Sequence, residues 1–323
     1  MTALTAHRET GPQGINPSRA RAAIRTLYRP PTLTPADLSA PLLVLHNDGP
    51  PATLPGAVPL HAVPDTVTRW EDLGISGVKV FAYGHDRDRH ATGALLPANR
   101  MVSAISAVKA TAPGLAVTTE VCGCSWTDSG ECILRTAGER LDLHATYALM
   151  GSMAVQHADA GADAVSPTAM LDGSVRAVRE ALDDAGHRDV AVNPNLAVHT
   201  SLYGPFKTLM DTDPASGHRR GLQLEPGRAD RDALVQARRW VEEGADSLTL
   251  QPVLTAGDVL VRLRDDQLVP ITAYSTSGEW QGLQGLGAAG MVEYLGSLKR
   301  AGADQILTFA AEAAAELLGG SRA

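Results

Sequence analysis

Lysine is scarce in this 323-residue chain: Lys79, Lys109, Lys207 and Lys299 are the only four among 28 basic residues. Any mechanism that needs a lysine amine therefore has four candidates. Aromatic residues make up only 4%. No run of roughly 18 or more apolar residues occurs, so a membrane-spanning helix of ordinary length is not expected. The opening segment, MTALTAHRETGPQG, lacks the basic-then-apolar layout of a secretory signal, which points to the cytoplasm. Positive charge is not in excess either. The formal net charge is -8, which argues against broad attraction to nucleic acid or to an anionic membrane and leaves small molecules and further copies of the chain as expected partners. Three cysteines are too few for a disulfide framework in a chain of this size. What is present, 44% hydrophobic and 20% charged residues, is the composition of a globular protein with a sizeable core.

From residue 40 onward, short runs rich in β-branched residues alternate with longer helical patterns, the signature of βα units and a parallel sheet. Eight such runs can be read: PLLVLH, GVKVFAYG, LAVTTEVC, ADAVSPTA, VAVNPNLA, SLTLQPVL, VPITAYST and QILTFAA. Between them, stretches such as NRMVSAISAVKA and GSVRAVREALDDAG repeat apolar residues three or four apart. The pattern predicts an α/β fold, a (β/α)8 TIM barrel, with a doubly wound open sheet as the alternative. The triplets Gly161-Ala162-Asp163, Gly244-Ala245-Asp246 and Gly302-Ala303-Asp304 each close a helix and open a strand, with glycine supplying the left-handed residue of the turn. Residues 1–38 differ in composition, with one short helix around PSRARAAIRTLY, and suit an N-terminal arm that orders against a partner subunit. Residues 39–323 form the barrel, and residues 200–230 form a long connection suited to a lid.

All three cysteines fall in one window, Cys122-Gly123-Cys124 through Cys132. In an extended chain residues two apart face the same way, so Cys122 and Cys124 can present both sulfurs to one ion while the loop returns Cys132. Thiolates favour zinc, and three protein ligands leave a fourth position for water or substrate. The plain alternative is three unrelated buried cysteines.

With these residues in view the chain resembles the porphobilinogen synthase (5-aminolevulinate dehydratase) family, whose zinc-dependent members carry D-x-C-x-C-x7-C; here the segment starts at Glu120 and ends at Cys132. SPTAMLDGSVRAVREALDDAG (166–186) is similar to the family's SPSDMMDGRV segment. SLYGPFK (201–207) is similar to FYGPFR, RRGLQLEP (219–226) to DR-x-x-YQMDP, and YSTSGEW (274–280) to Y-x-VSGEY. KRAGADQILTFAA resembles the closing strand. The resemblance implies the barrel, a homo-oligomer from dimer to octamer with the N-terminal arm embracing a neighbour, and a reaction that condenses two amino-keto acids through lysine Schiff bases.

The departures from that pattern are selective. The two Schiff-base positions hold Ala197 and Gln251, neither of which can form an imine. Glu120, Ala169, Phe309 and Lys207 replace an aspartate, an aspartate, a tyrosine and an arginine, and Ser129 and Glu131 stand where the family has histidines. Retained are Cys122, Cys124, Cys132, Ser166, Asp172, Tyr203, Phe206, Arg219, Gln223 and Ser277.

The expected function is a zinc-dependent lyase, condensing or dehydrating, that acts on a small amino or keto acid without imine chemistry. Its expected metal ligands are Cys122, Cys124 and Cys132. Glu120, Ser166, Asp172 and Lys207 are candidate catalytic groups, and Tyr203, Phe206, Arg219, Gln223, Gln251 and Ser277 are candidate substrate contacts. Lys207 suits a carboxylate clamp better than a relocated amine, and Lys79 is expected to face the helical layer or solvent. The alternative is a catalytically inactive homologue with a ligand-binding or regulatory role.

Overall fold

Eight parallel strands carry the fold in a computed structural model that describes residues 21–27, 32–46, 53–215 and 219–320. The strands are Leu38–Leu45, Gly77–Ala82, Ala116–Val121, Ala164–Pro167, the interrupted fifth (Ala191–Val192 and Asn195–Ala197), Leu248–Gln251, Ile271–Ser275 and Gln305–Thr308. The first pairs with both the second and the eighth. At the other end of the hydrogen-bonded path lie the two pieces of the fifth strand, one paired with the fourth and the other with the sixth. Because those pieces belong to one segment, 191–197, the sheet curls back on itself and the open-sheet alternative is overturned. All eight runs read from the sequence contribute one barrel strand each. Ala57–Pro59 adds a short strand outside the barrel, paired with the first.

Helices cover the outside, including Arg100–Thr111, Leu143–Asp159, Ser174–Asp184, Ala229–Glu242 and Gly287–Ala301. Their apolar faces pack on strands that are buried on both sides, which is why the strands read as nearly continuous apolar runs rather than alternating ones.

The Gly-Ala-Asp triplets are the fold's repeated fastening. Gly161, Gly244 and Gly302 have φ of 104, 104 and 113°, the left-handed conformation that ends a helix without a Cβ clash. The aspartate that follows each glycine then grips the neighbouring strand. Asp163 accepts from the Val117 amide at 2.7 Å, Asp246 from Val192 at 2.8 Å and Asp304 from Ile271 at 2.9 Å. A basic side chain from a helix, Lys109, Arg179 or Arg264, pairs with each carboxylate.

The chain divides into two compact units at Leu33 and Thr34. In the first, helix Ala22–Leu27 occupies the stretch where the sequence places a short helix. Most of the expected arm, residues 1–20 and 28–31, lies outside the described residues, as does 216–218 of the lid. Among the described residues no helix is long and apolar enough to cross a membrane.

Candidate active site and metal centre

The third strand runs out through Glu120 and Val121 into a short 3-10 turn, Gly123–Ser125, at the barrel mouth. The turn is held in place by close backbone packing. A Cβ built on Gly84, just past the second strand, would lie 1.4 Å from the Ser125 carbonyl oxygen. Thr127 donates to the Glu131 carbonyl at 2.9 Å, closing the loop that brings Cys132 back. The three Sγ atoms of Cys122, Cys124 and Cys132 lie within 4.8 Å of one another, and all three residues are buried.

This donor set suits one soft divalent cation: three sulfurs converge, and all three also line a cavity, so a fourth position faces space a ligand can fill. Without metal the thiols hold their protons. At Cys132 the hydrogen bond with Cys122 favours the thiolate, but the bond with Cys124 and burial outweigh it and push the group up to about 12. Metal uptake must therefore displace protons.

The cavity, about 90 Å³, is walled by Glu120, the three cysteines, Thr168, Ala169 and Asn195 on one side and by Phe81, Tyr203, Phe206 and Tyr274 on another. Lys207, Thr212, Arg219, Leu222 and Gln223, from the long connection after the fifth strand, also line it, with Gln251, Thr276 and Ser277 at the strand ends. The aromatic side is tightly packed. Phe81 meets Phe206 edge-on at 5.0 Å between centroids, and Tyr274 stacks between Phe81 and Phe309 at 6.4 Å from each. Phe309, at the position of the family's tyrosine, thus stands in an apolar cluster with Leu43, Leu45 and Leu307.

Arg219 links the long connection after the fifth strand to the cysteine loop, donating to the carbonyls of Gly130 and Thr212. Burial opposes its charge, but the cysteine sulfurs, once deprotonated, and Glu120 outweigh burial and keep the guanidinium protonated. Burial raises the Glu120 carboxyl above the usual range, with Lys79, Thr168 and Arg219 pulling the other way. Gln223 pairs with His199 Nδ1 at 2.8 Å. Lys207 sits 3.2 Å from Asp213 and 5.8 Å above the Tyr203 ring. The Tyr203 hydroxyl donates to the Val198 and Gln251 carbonyls at 2.9 and 3.0 Å, and the Phe206 amide donates to Ser277 Oγ at 2.9 Å.

The structure thus brings together Glu120, Cys122, Cys124, Cys132, Tyr203, Phe206, Lys207, Arg219, Gln223, Gln251 and Ser277 as cavity wall. Ser166 lies beneath the cavity, fully buried. Asp172 departs from its expected place: it is exposed and paired with Arg239 and Gln236 on a neighbouring helix, because the chain has left the mouth by that point to begin the next helix.

Lys79 is a second correction. It does not face the helices or solvent but points into the barrel at 3% exposure, donating to Ser166 Oγ at 2.8 Å and to Asn195 Oδ1 at 3.0 Å. Strand parity explains it, since Lys79 shares the inward face with Phe81 two residues on. Asn195 was missed for the same reason: it lies two residues before Ala197 and shares its inward face.

The profile of the family described as Delta-aminolevulinic acid dehydratase matches residues 15–317. The delta-aminolevulinic acid dehydratase of Synechocystis is 34% identical, over 94% of this chain and 98% of its own length. That of Methanothermobacter thermautotrophicus is 34% identical over 90% and 92%. The solved structure of the dehydratase (porphobilinogen synthase) from Toxoplasma gondii, in complex with its reaction product porphobilinogen, superposes with a TM-score of 0.88 at 28% identity, covering 94% of this chain and 91% of that one. A barrel closed at segment 191–197, a three-cysteine mouth and a match along nearly the whole chain lead to one conclusion: the chain belongs to the delta-aminolevulinic acid dehydratase, or porphobilinogen synthase, family.

Proposed function

We propose that the chain is a zinc-dependent lyase-type enzyme that condenses or dehydrates a small amino or keto acid, without a lysine at either of the family's imine positions. The observation that carries this reading is the coexistence, in one enclosed cavity, of three converging sulfurs and a buried guanidinium, with Ala197 and Gln251 on the wall where the amines would stand. Zinc on Cys122, Cys124 and Cys132 would supply Lewis acidity at its fourth position.

The chain's own groups do the rest. Arg219 and Gln223 hold the substrate carboxylate, and Lys207 adds charge at the lid. A Glu120 carboxyl oxygen moves a proton to or from the bound molecule. Phe81, Phe206 and Tyr203 exclude water and so strengthen each of these polar contacts.

An inactive, regulatory homologue is the second reading, favoured by the same loss of both amines. A screen of small amino and keto acids, monitored for product by mass spectrometry, separates the two. Turnover that falls about a hundredfold in Arg219→Leu supports the enzyme, since hydrogen bonds to charged groups contribute about 1.5–3 kcal/mol. No turnover, together with co-purification with an active synthase, supports the regulator.

A further inference from the structure

Three polar groups from three strands meet beneath the cavity: Lys79 on the second, Ser166 on the fourth and Asn195 on the fifth. All are buried, at 3, 0 and 2% exposure. Lys79 Nζ donates to Ser166 Oγ at 2.8 Å and to Asn195 Oδ1 at 3.0 Å, and Ser166 Oγ lies 3.0 Å from that same Oδ1. A protonated lysine has donors and no acceptor, so the oxygen end of the Asn195 amide must face it. The opposite end, Nδ2, is thereby turned away from the network. It has no hydrogen-bond partner among the described residues, and Asn195 lines the cavity.

An amide N–H held in this way, with nothing to bond, is a directed donor waiting for an acceptor. Two features increase its pull on an oxygen. The Lys79 ammonium behind it adds positive potential in a region of low dielectric, where such a field is strong. Above it on the same strand face stands Ala197, whose methyl leaves the approach open.

We propose that Asn195, oriented by Lys79, forms a subsite that donates a hydrogen bond to the keto oxygen of a small oxo acid whose carboxylate is held by Arg219. Asn195 touches the ligand and Lys79 is a positioning residue, covered by its two acceptors and absent from the cavity wall. This subsite rests on the proposed function, from which it takes the small-acid ligand.

The test compares 4-oxopentanoate with pentanoate, which lacks the keto oxygen, by titration calorimetry on the full-length metal-loaded protein. The expected preference for the oxo acid is about tenfold, the effect of one hydrogen bond. Asn195→Leu, with Asn195→Ala as a second variant, removes the preference, so that the two acids bind alike. Lys79→Met also lowers it, whereas Lys79→Gln, which still offers an N–H to Oδ1, keeps most of it; loss of packing alone would not sort the two acids in this way. With 4-oxopentanoate labelled at the keto carbon, a bound resonance that stays in the ketone region and moves downfield supports the hydrogen bond without any variant. Equal binding of the two acids, or an unchanged preference in both Asn195 variants, overturns the subsite alone. Borohydride trapping of 4-oxopentanoate on Lys79 also overturns it, in favour of a covalent role for that amine. Failure of the wild-type protein to bind either acid overturns the proposed function and the subsite with it.

Discussion

A lysine enclosed in a barrel leaves a mark on the pH dependence of stability. Burial lowers the Lys79 pKa from 10.5 to about 8, and the field of Glu120 offsets only part of that shift. Below about pH 8 both folded and unfolded chains hold the proton, and the burial penalty on the ammonium is in full force. Between about 8 and 10.5 the unfolded chain binds more protons, so this group makes the fold more stable as pH rises through that window, by at most about 3 kcal/mol. Urea denaturation at pH 8 and pH 10 should show this increment in the wild type and not in Lys79→Met; equal slopes would place the amine in solvent. Nothing in the sequence could reveal the burial directly. GVKVFAYG is buried at every position of its strand, so no alternation of polar and apolar residues marks which face Lys79 takes. Only its parity with Phe81 does, and that becomes useful once the orientation of Phe81 is known. The sulfurs were legible because residues two apart in an extended chain must share a side. Asp172 was not, because its family context places it beside the site in sequence while the chain turns outward in space.

The cysteine loop depends on its neighbour. Gly84 lets the end of the second strand run against Ser125, where a Cβ would lie 1.4 Å from the carbonyl oxygen. Gly84→Ala should therefore displace the turn that carries Cys124, destabilise the fold by about 1–3 kcal/mol and weaken zinc binding about ten- to a hundredfold, the usual effect of disturbing the groups that support metal ligands. Gly257→Ala, at a position where an added Cβ meets nothing within 4 Å, serves as the control and should leave zinc affinity unchanged. Zinc titration of both variants with a competing chelator checks this, and equal affinities would free the loop from Gly84. The Gly-Ala-Asp triplets were readable at this scale because one physical need, ending a helix and gripping the next strand, recurs three times with the same residues. The grip itself, an aspartate on a neighbouring strand's amide, was hidden, since it joins segments such as Asp246 and Val192 that lie far apart in the chain.

At the scale of the whole molecule the alternation of strands and helices was enough to name the barrel, and closure came from segment 191–197 bridging both ends of the path. Assembly was less legible, because no periodicity within one chain encodes the surface of another. The expected arm of residues 1–38 is shorter in the structure, because the barrel unit begins at Thr34 and its first strand at Leu38, and we propose that residues 1–33 form the arm that joins subunits. Deleting them should lower the mass measured by light scattering from that of an oligomer to that of a smaller species, while the zinc content per chain stays the same; an unchanged mass would remove the arm from assembly. The most direct measurement for the molecule as a whole is its metal content after exhaustive dialysis, determined by plasma mass spectrometry. The expected result is about one zinc per chain for the wild type and a background value for Cys124→Ser. Wild-type protein at background, or a Cys124→Ser variant with its full complement, would contradict a thiolate-held zinc at the mouth of this barrel.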